Sequence, residues 1–256
     1  MKIYQANAKV NIFLKITGIR DNYHTLASRF MIVENLYDQL WFEEKPFSKQ
    51  FIIDGMFDCT TEQNTIYKAY KALLESLNDP KIKEFFYTHK VVVKKAIPAF
   101  AGLGGGSSDA ATFLAMLNER LDLSLEKEQL ATIGLKVGAD VPFFVYGYKS
   151  ANVSGIGEIV EEFQEESFLV ETITPPVKIS TPAVYKKYRS DYFAPITKEQ
   201  EQHLFLTSSK EILQQMSLEE ANDLFAPALA LYPQLQQYKK AGWFFSGSGS
   251  SFFKKL

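Results

Sequence analysis

The chain has 256 residues, of which 46% are apolar and 23% charged, with a formal net charge of −2 and a single cysteine. That length suits one large domain or two modest ones, and the apolar share supplies a core. A charge this small gives no electrostatic case for nucleic-acid binding; Cys59 alone makes neither an intramolecular disulfide nor a zinc site, and no window approaches a membrane span.

The first residues are polar, without the apolar core of a signal peptide, so the expected location is cytoplasmic. From Tyr4 the chain alternates. Ala6, Ala8, Val10, Ile12, Leu14 and Ile16 fall on one strand face, and Gln5, Asn7, Lys9, Asn11 and Lys15 on the other, with Phe13 interrupting the polar face. A turn at Gly18 to Asn22 leads to Tyr23 and His24, and a strand is expected over residues 29–42. Asn64 is a good N-cap for a helix whose Ile66, Tyr70, Leu73, Leu74 and Leu77 recur at helical spacing. Val91-Val92-Val93 reads as a buried strand that Pro98 ends. After a glycine-rich loop, residues 109–117 and 125–136 read as helices, with Gly138 as a C-cap for the second, and 141–148 as an aromatic strand. Residues 158–166 form an acidic stretch expected to be exposed. A domain change is placed near 150, dividing the chain into 1–150 and 151–256. Beyond it, 177–180 reads as a strand, and Ser217 with Glu220 as the capping box of a helix running to about 225. A glycine-serine segment, 246–251, sits between Phe244-Phe245 and Phe252-Phe253, which argues for an anchored loop and against a frayed tail.

The strongest chemical feature is the run Gly102-Leu103-Gly104-Gly105-Gly106-Ser107-Ser108. Glycines let a backbone approach a ligand closely, and the start of the following helix offers unpaired N–H groups and a positive dipole end. Together they suit a phosphate. A Walker A loop would need a lysine before the serine, and none is present; a dinucleotide fingerprint would want glycine at Ser107 and a shorter approach than the one from Pro98.

The segment from Pro98 to Ala111 resembles the second motif of the GHMP kinases; Ala8-Lys9-Val10-Asn11 resembles the first and Ser246-Gly247-Ser248-Gly249 the third, in the family's order. Tyr23-His24-Thr25-Leu26, Gly138 to Phe144, Thr181-Pro182-Ala183-Val184-Tyr185 and Asn222-Asp223-Leu224 narrow the resemblance to the branch that phosphorylates a cytidine-diphosphate sugar alcohol in non-mevalonate isoprenoid synthesis. The resemblance implies an α+β fold of two domains with the active site in the cleft between them. It implies ATP with Mg²⁺, and a small-molecule acceptor with neither nucleic acid nor membrane as partner. The expected assembly is a monomer or weak homodimer.

Residue roles are carried over by position. Asp140, by itself a capping residue, becomes the base on the acceptor hydroxyl. Lys9 becomes its cationic neighbour, which favours the ionised carboxylate. Asn11 is expected to hydrogen-bond the acceptor, His24 to read the cytosine edge, and Tyr23 and Tyr185 to sandwich the ring. Thr181, Ser248 and Gly249 are expected near the acceptor's phosphates. Pro98, Gly102, Leu103, Gly104, Gly105, Gly106, Ser107 and Ser108 are expected to surround the ATP phosphates, with Asn64 and Lys95 near the adenine and Ser108 as a metal ligand. His89 and His203 read as surface residues. Two features depart from the family pattern: Asp109 stands where asparagine is common, which suggests help with Mg²⁺, and the chain stops soon after the third motif, which suggests a trimmed C-terminal domain. Other readings are a mevalonate- or homoserine-type kinase, which would not need stacking aromatics, and a non-catalytic nucleotide-binding regulator, which would not keep both Lys9 and Asp140.

Overall fold

The computed structural model describes residues 1–256. The chain packs as two units. The first contains Met1–Ala8, Asn35–Ile97 and Gly105–Gly147; the second contains Lys9–Glu34, Pro98–Gly104 and Tyr148–Leu256. Strands β1 (Tyr4–Arg20) and β2 (Tyr23–Glu44) each contribute to both, and the glycine loop changes unit between Gly104 and Gly105. No helix is long and apolar enough to cross a membrane.

In the first unit the C-terminal half of β2 pairs antiparallel with β4 (His89–Lys94), from Gln39 opposite Lys94 to Glu44 opposite His89. The short β3 (Ile53–Asp54) lies parallel on the other edge of β4. Helices α1 (Thr65–Leu77), α2 (Pro80–Thr88), α3 (Gly105–Leu121), α4 (Lys127–Leu135) and α5 (Val141–Tyr146) surround a core that includes Leu40, Val91, Leu73, Phe86, Phe113, Leu117, Ile133 and Val141. Asn64 caps α1 as its sequence position suggests: its Oδ1 accepts the N–H of Ile66 at 2.9 Å.

Three expectations need correction here. The helix after the glycine loop begins at Gly105 rather than Asp109, because Gly104 (φ +71°) turns the chain directly into it. The expected strand over 141–148 is α5; Pro142 preorganises a helix start and left-handed Gly147 ends it. The C-cap of α4 is Lys136, although the N–H of Gly138 still closes the helix end on the carbonyl of Gly134 at 3.1 Å.

In the second unit the N-terminal half of β2 pairs with β5 (Ser150–Ser154), which pairs with β6 (Ile159–Glu162). A separate sheet has the order β7 (Val170–Ile173), β9 (Phe252–Lys255), β8 (Phe244–Phe245), so the last strand of the chain is the central one. Helices α6 (Thr181–Lys187), α7 (Lys198–Leu206), α8 (Ser209–Gln215), α9 (Leu218–Ala221) and α10 (Phe225–Leu231) complete it, and α6 continues into a π-helical turn, Tyr188–Tyr192. The expected strand at 177–180 is absent. Pro175 and Pro176 have no N–H to donate to a ladder, so pairing stops at Ile173 and Ser180 becomes the N-cap residue of α6. Ser217 and Glu220 do form a capping box, but the helix ends at Ala221, where Asn222 becomes extended.

The acidic stretch is largely exposed, as expected, with one exception. The Glu165 carboxylate turns inward and accepts from Ser150 Oγ at 2.7 Å and from Ser209 N and Oγ at 2.8 and 2.6 Å. Beside it lies Arg29, whose fully buried guanidinium stacks 3.4 Å over the Phe163 ring. Arg29 donates to Asn152 Oδ1 at 2.6 Å and to the carbonyls of Leu204, Phe205 and Thr207 at 3.3, 3.0 and 3.2 Å. These carbonyls end α7, so a cation sits where the helix dipole favours one. Burial lowers the Arg29 pKa to about 10, with Glu165 opposing the shift.

Candidate active site

Around the glycine loop, the main chain does most of the shaping. Gly102 (φ +73°) is left-handed, and a Cβ there would run into the carbonyl oxygen of Ser246. At Gly105 a Cβ would stand 2.8 Å from Ile97 Cγ2, and at Gly106 3.2 Å from Thr65 Oγ1. Thr65 Oγ1 donates to the Gly106 carbonyl at 2.6 Å, which ties the start of α1 to the start of α3. The first-turn N–H groups of α3 have no partner within the helix, and they lie where Gly106 is exposed and Ser107 half-exposed. Ser108 and Leu103 are buried; Pro98 is exposed.

Lys95 follows β4 and bridges two carboxylates, Asp38 and Asp109, the latter at 2.7 Å. Asp109 had been expected to help with Mg²⁺. It is instead 3% exposed, with Oδ2 bonded to Lys95 and Oδ1 without a partner. Burial pushes its pKa up to about 7, against the pull of Lys95.

Asp140 occupies the N-cap position of α5, yet its side chain makes no capping bond. It is half-buried, in a turn that also holds Gly138, and a Cβ on Gly138 would lie 3.8 Å from Ser107 Oγ. The turn that carries Asp140 therefore adjoins the start of α3.

Around β1, side chains dominate. Between Ala8 and Leu14, β1 is buried on both faces, so the polar residues expected on an open face are enclosed. Lys9 is 3% exposed; its ammonium donates to Asn11 Oδ1 at 2.6 Å and stands 4.3 Å over the Phe30 ring. Asn11 Nδ2 donates to Ser28 Oγ at 2.9 Å, and Ser28 donates on to the Phe13 carbonyl at 2.5 Å. A lysine buried this deeply needs compensation, and a functional demand is the usual reason to keep it.

The glycine-serine segment 246–251 closes on this strand. It is buried throughout, as its flanking aromatics suggest. Ser246 Oγ accepts from the Asn11 N–H at 3.3 Å and donates to the Gly102 carbonyl at 3.0 Å, while the N–H of Lys9 reaches the Leu103 carbonyl at 2.9 Å. Asn222 holds the segment from behind: its Nδ2 donates to the carbonyls of Phe245 and Gly247, both at 2.9 Å, and its Oδ1 accepts from Leu224 N at 2.9 Å. Ser248 Oγ lies 2.6 Å from Thr181 Oγ1. Gly249 (φ +96°) packs against Phe245 and Ile179 too closely for any side chain.

His24 lies among aromatic rings, with centroids 5.2 Å from Tyr185, 5.8 Å from Tyr188 and 6.5 Å from Phe193. Its Nε2 is buried and has no hydrogen-bond partner. Burial lowers its pKa, and the charge of Arg189 adds to the shift, so the ring is neutral near pH 7. Tyr23 is 65% exposed.

The structure thus brings together Lys9 with Asn11, His24 with Tyr185, and Thr181 with Ser248. It adds residues the sequence did not single out: Asp38, Thr65, Asn222 as an anchor of the segment 246–251, Tyr188 and Phe193. Tyr188 had a signal, since it lies one helical turn beyond Tyr185. Asp38 had none, being one acid in a long strand.

The chain has several relatives. Residues 64–148 match the GHMP kinases N terminal domain. The 4-diphosphocytidyl-2-C-methyl-D-erythritol kinase of Sulfurimonas denitrificans is 57% identical over 99% of this chain and 97% of its own length, and that of a Sulfurovum species is 47% identical over 97% of both. A crystal structure of 4-(cytidine 5'-diphospho)-2C-methyl-D-erythritol kinase superposes with a TM-score of 0.76 at 28% identity, covering 100% of this chain and 90% of that one. The Methanococcus jannaschii mevalonate kinase shares the fold at a TM-score of 0.62 and 14% identity, over 100% of this chain and 90% of that one.

Proposed function

The chain belongs to the 4-diphosphocytidyl-2-C-methyl-D-erythritol kinases, a branch of the GHMP kinases, and from that premise we propose that it transfers the γ-phosphate of ATP to the tertiary 2-hydroxyl of that acceptor. The reaction is a step of non-mevalonate isoprenoid precursor synthesis, and we place it in the cytoplasm. The observation that carries the choice of acceptor is the buried, unpartnered Nε2 of His24 within a ring of aromatic side chains. A nucleobase offers a flat face to stack and a polar edge to bond, which is what such a group needs. Mevalonate and homoserine have polar groups to bond but no flat face to stack.

The roles follow from chemistry and position. Phosphoryl transfer is mainly positioning and charge stabilisation, with little covalent work for the protein. The N–H groups at the start of α3 bind the phosphates. Asn64 and Lys95 border the adenine. Asp140 accepts the proton of the attacking hydroxyl, or orients that hydroxyl for attack. The ammonium of Lys9 steadies charge on the acceptor oxygen, while Asn11 fixes the Lys9 head. Tyr23, His24 and Tyr185 take the cytosine, and Thr181, Ser248 and Gly249 lie along the acceptor's diphosphate.

The family also implies Mg²⁺. No cluster of His, Cys, Asp and Glu gathers to hold a metal alone, and Oδ2 of Asp109 is taken by Lys95. The hydroxyls of Ser107 and Ser108 at the start of α3 are the groups that would hold an ion arriving on the nucleotide, and such an ion would supply charge neutralisation for the transferring group.

The test is ADP release with 4-diphosphocytidyl-2-C-methyl-D-erythritol, mevalonate and homoserine as alternative acceptors. Turnover is expected with the first alone. Equal or greater turnover with either of the others would overturn the assignment.

A further inference from the structure

Asp38 has no role in the reaction as described above, yet it is fully buried in the middle of a strand. A carboxylate is costly to bury without partners. Asp38 has three. Its Oδ1 accepts the N–H of Ala96 at 2.5 Å and of Ile97 at 2.8 Å, and its Oδ2 receives the Lys95 ammonium. Lys95 donates in turn to Asp109 Oδ2 at 2.7 Å.

These bonds fall at one place in the chain. The ladder between β2 and β4 ends where Gln39 faces Lys94. At the next residues Asp38 supplies an acceptor where strand pairing has stopped, so Ala96 and Ile97 leave the sheet with their N–H groups satisfied. Ile97 is the last residue before the segment Pro98–Gly104, and Asp109 lies in the second turn of α3, just after it. One end of the glycine loop is thus bonded to Asp38 directly and the other through Lys95. The tight packing of Gly105 on Ile97, where a Cβ would stand 2.8 Å from Cγ2, fits the same pinning. A loop whose ends are already fixed loses less freedom when a ligand settles in it. Lys95 also offsets Asp109, whose negative charge near the helix start would oppose a phosphate.

We propose that Asp38 is a positioning residue for the nucleotide phosphates: through Ala96, Ile97 and the Lys95–Asp109 bridge it sets where the glycine loop enters and where α3 begins, holding the first-turn N–H groups ready for phosphate. This rests on reading that loop as the ATP phosphate site.

The experiment uses the full chain with Asp38→Asn, which keeps the volume but replaces one acceptor oxygen with an NH₂ group. KM for ATP and KM for the acceptor are measured separately, with the inhibition constant of inorganic tripolyphosphate against ATP. Tripolyphosphate has no adenine, so it reports on the phosphate site alone. The expected result is a rise of about tenfold in both KM for ATP and the tripolyphosphate constant, with KM for the acceptor within about twofold of wild type. A folded variant with both ATP-side constants unchanged, or with both substrates' KM values rising together, would overturn the proposal. So would a change confined to ATP with tripolyphosphate unaffected, because the effect would then act through the base. If Asp38→Asn does not fold, Lys95→Gln takes its place: it leaves the bonds to Ala96 and Ile97 and cuts the charged bridge. It is expected to weaken tripolyphosphate by about fivefold, and unaltered inhibition would overturn the proposal. Failure of wild type to use ATP would instead remove the phosphate-site reading itself.

Discussion

In the first unit the groups suited to a nucleotide are main-chain groups: the open start of α3, the close-packed Gly105 and Gly106, and two N–H groups turned by Asp38. In the second unit the groups suited to the acceptor are side chains held by other side chains: Lys9 on Asn11, Asn11 on Ser28, Thr181 with Ser248, and His24 among aromatic rings. Phosphate is a compact anion that any correctly placed N–H can bind, so backbone suffices. A base joined to a branched alcohol has edges, faces and a hydroxyl to be told apart, and that takes particular side chains. The contrast says where mutations should act. Side-chain truncation in the second unit should strike the acceptor, while the first unit should respond mainly to changes that move backbone.

The largest effects are expected at Lys9 and Asp140. Lys9→Ala and Asp140→Ala are each expected to lower kcat by about a hundredfold or more, with ATP binding measured by calorimetry unchanged. Near-normal turnover in either would break the assignment. Next come the aromatics. Stacking contributes about 1–3 kcal/mol per base, so Tyr185→Ala should raise the acceptor KM by roughly tenfold to a hundredfold and leave the ATP KM alone. A rise in both would blur the contrast.

A smaller effect is expected from Thr65→Val, which removes one bond to the Gly106 carbonyl. A single neutral hydrogen bond is worth about 1 kcal/mol, so the ATP KM should rise about fivefold, with the acceptor KM unchanged. The smallest concerns pH. The folded-state pKa of His24 lies below its ordinary 6.5. Its neutral form therefore persists in the folded state as pH falls through the range where an ordinary histidine protonates. The unfolded chain takes up that proton first, so the stability His24 contributes is complete above about pH 6.5 and is lost as pH falls toward the folded value. The acceptor KM should therefore stay flat from pH 8 through the ordinary histidine range and rise only at lower pH, as the folded ring protonates, and His24→Gln should flatten that rise.

Much of this was legible in the sequence, and the misses have physical causes. The Asn64 cap and the Ser217–Glu220 capping box depend on local chemistry, and both are where their residues point; the glycine run does lead into a helix, though the helix begins at Gly105, within the run. The aromatic run at 141–148 misleads because its composition suits a strand; Pro142 decides otherwise, by fixing the backbone for a helix start. Two prolines likewise move the expected strand at 177–180 back to β7. The polar face of β1 was visible as a pattern, but its burial was not, since enclosure depends on segments such as 246–251 that lie far away in sequence. Asp38 and Asn222 were hidden for the same reason. Each binds backbone groups distant in sequence, and no spacing rule foretells that.

The most direct test of the central claim is to remove the base from the acceptor. 2-C-methylerythritol 4-phosphate carries the same tertiary hydroxyl without the cytidyl group that His24, Tyr185 and their neighbours are read as holding. Losing stacking and its hydrogen bond together should lower kcat/KM by at least about a hundredfold relative to the full acceptor, with the ATP KM unchanged. Equal kcat/KM for the two acceptors would contradict the account.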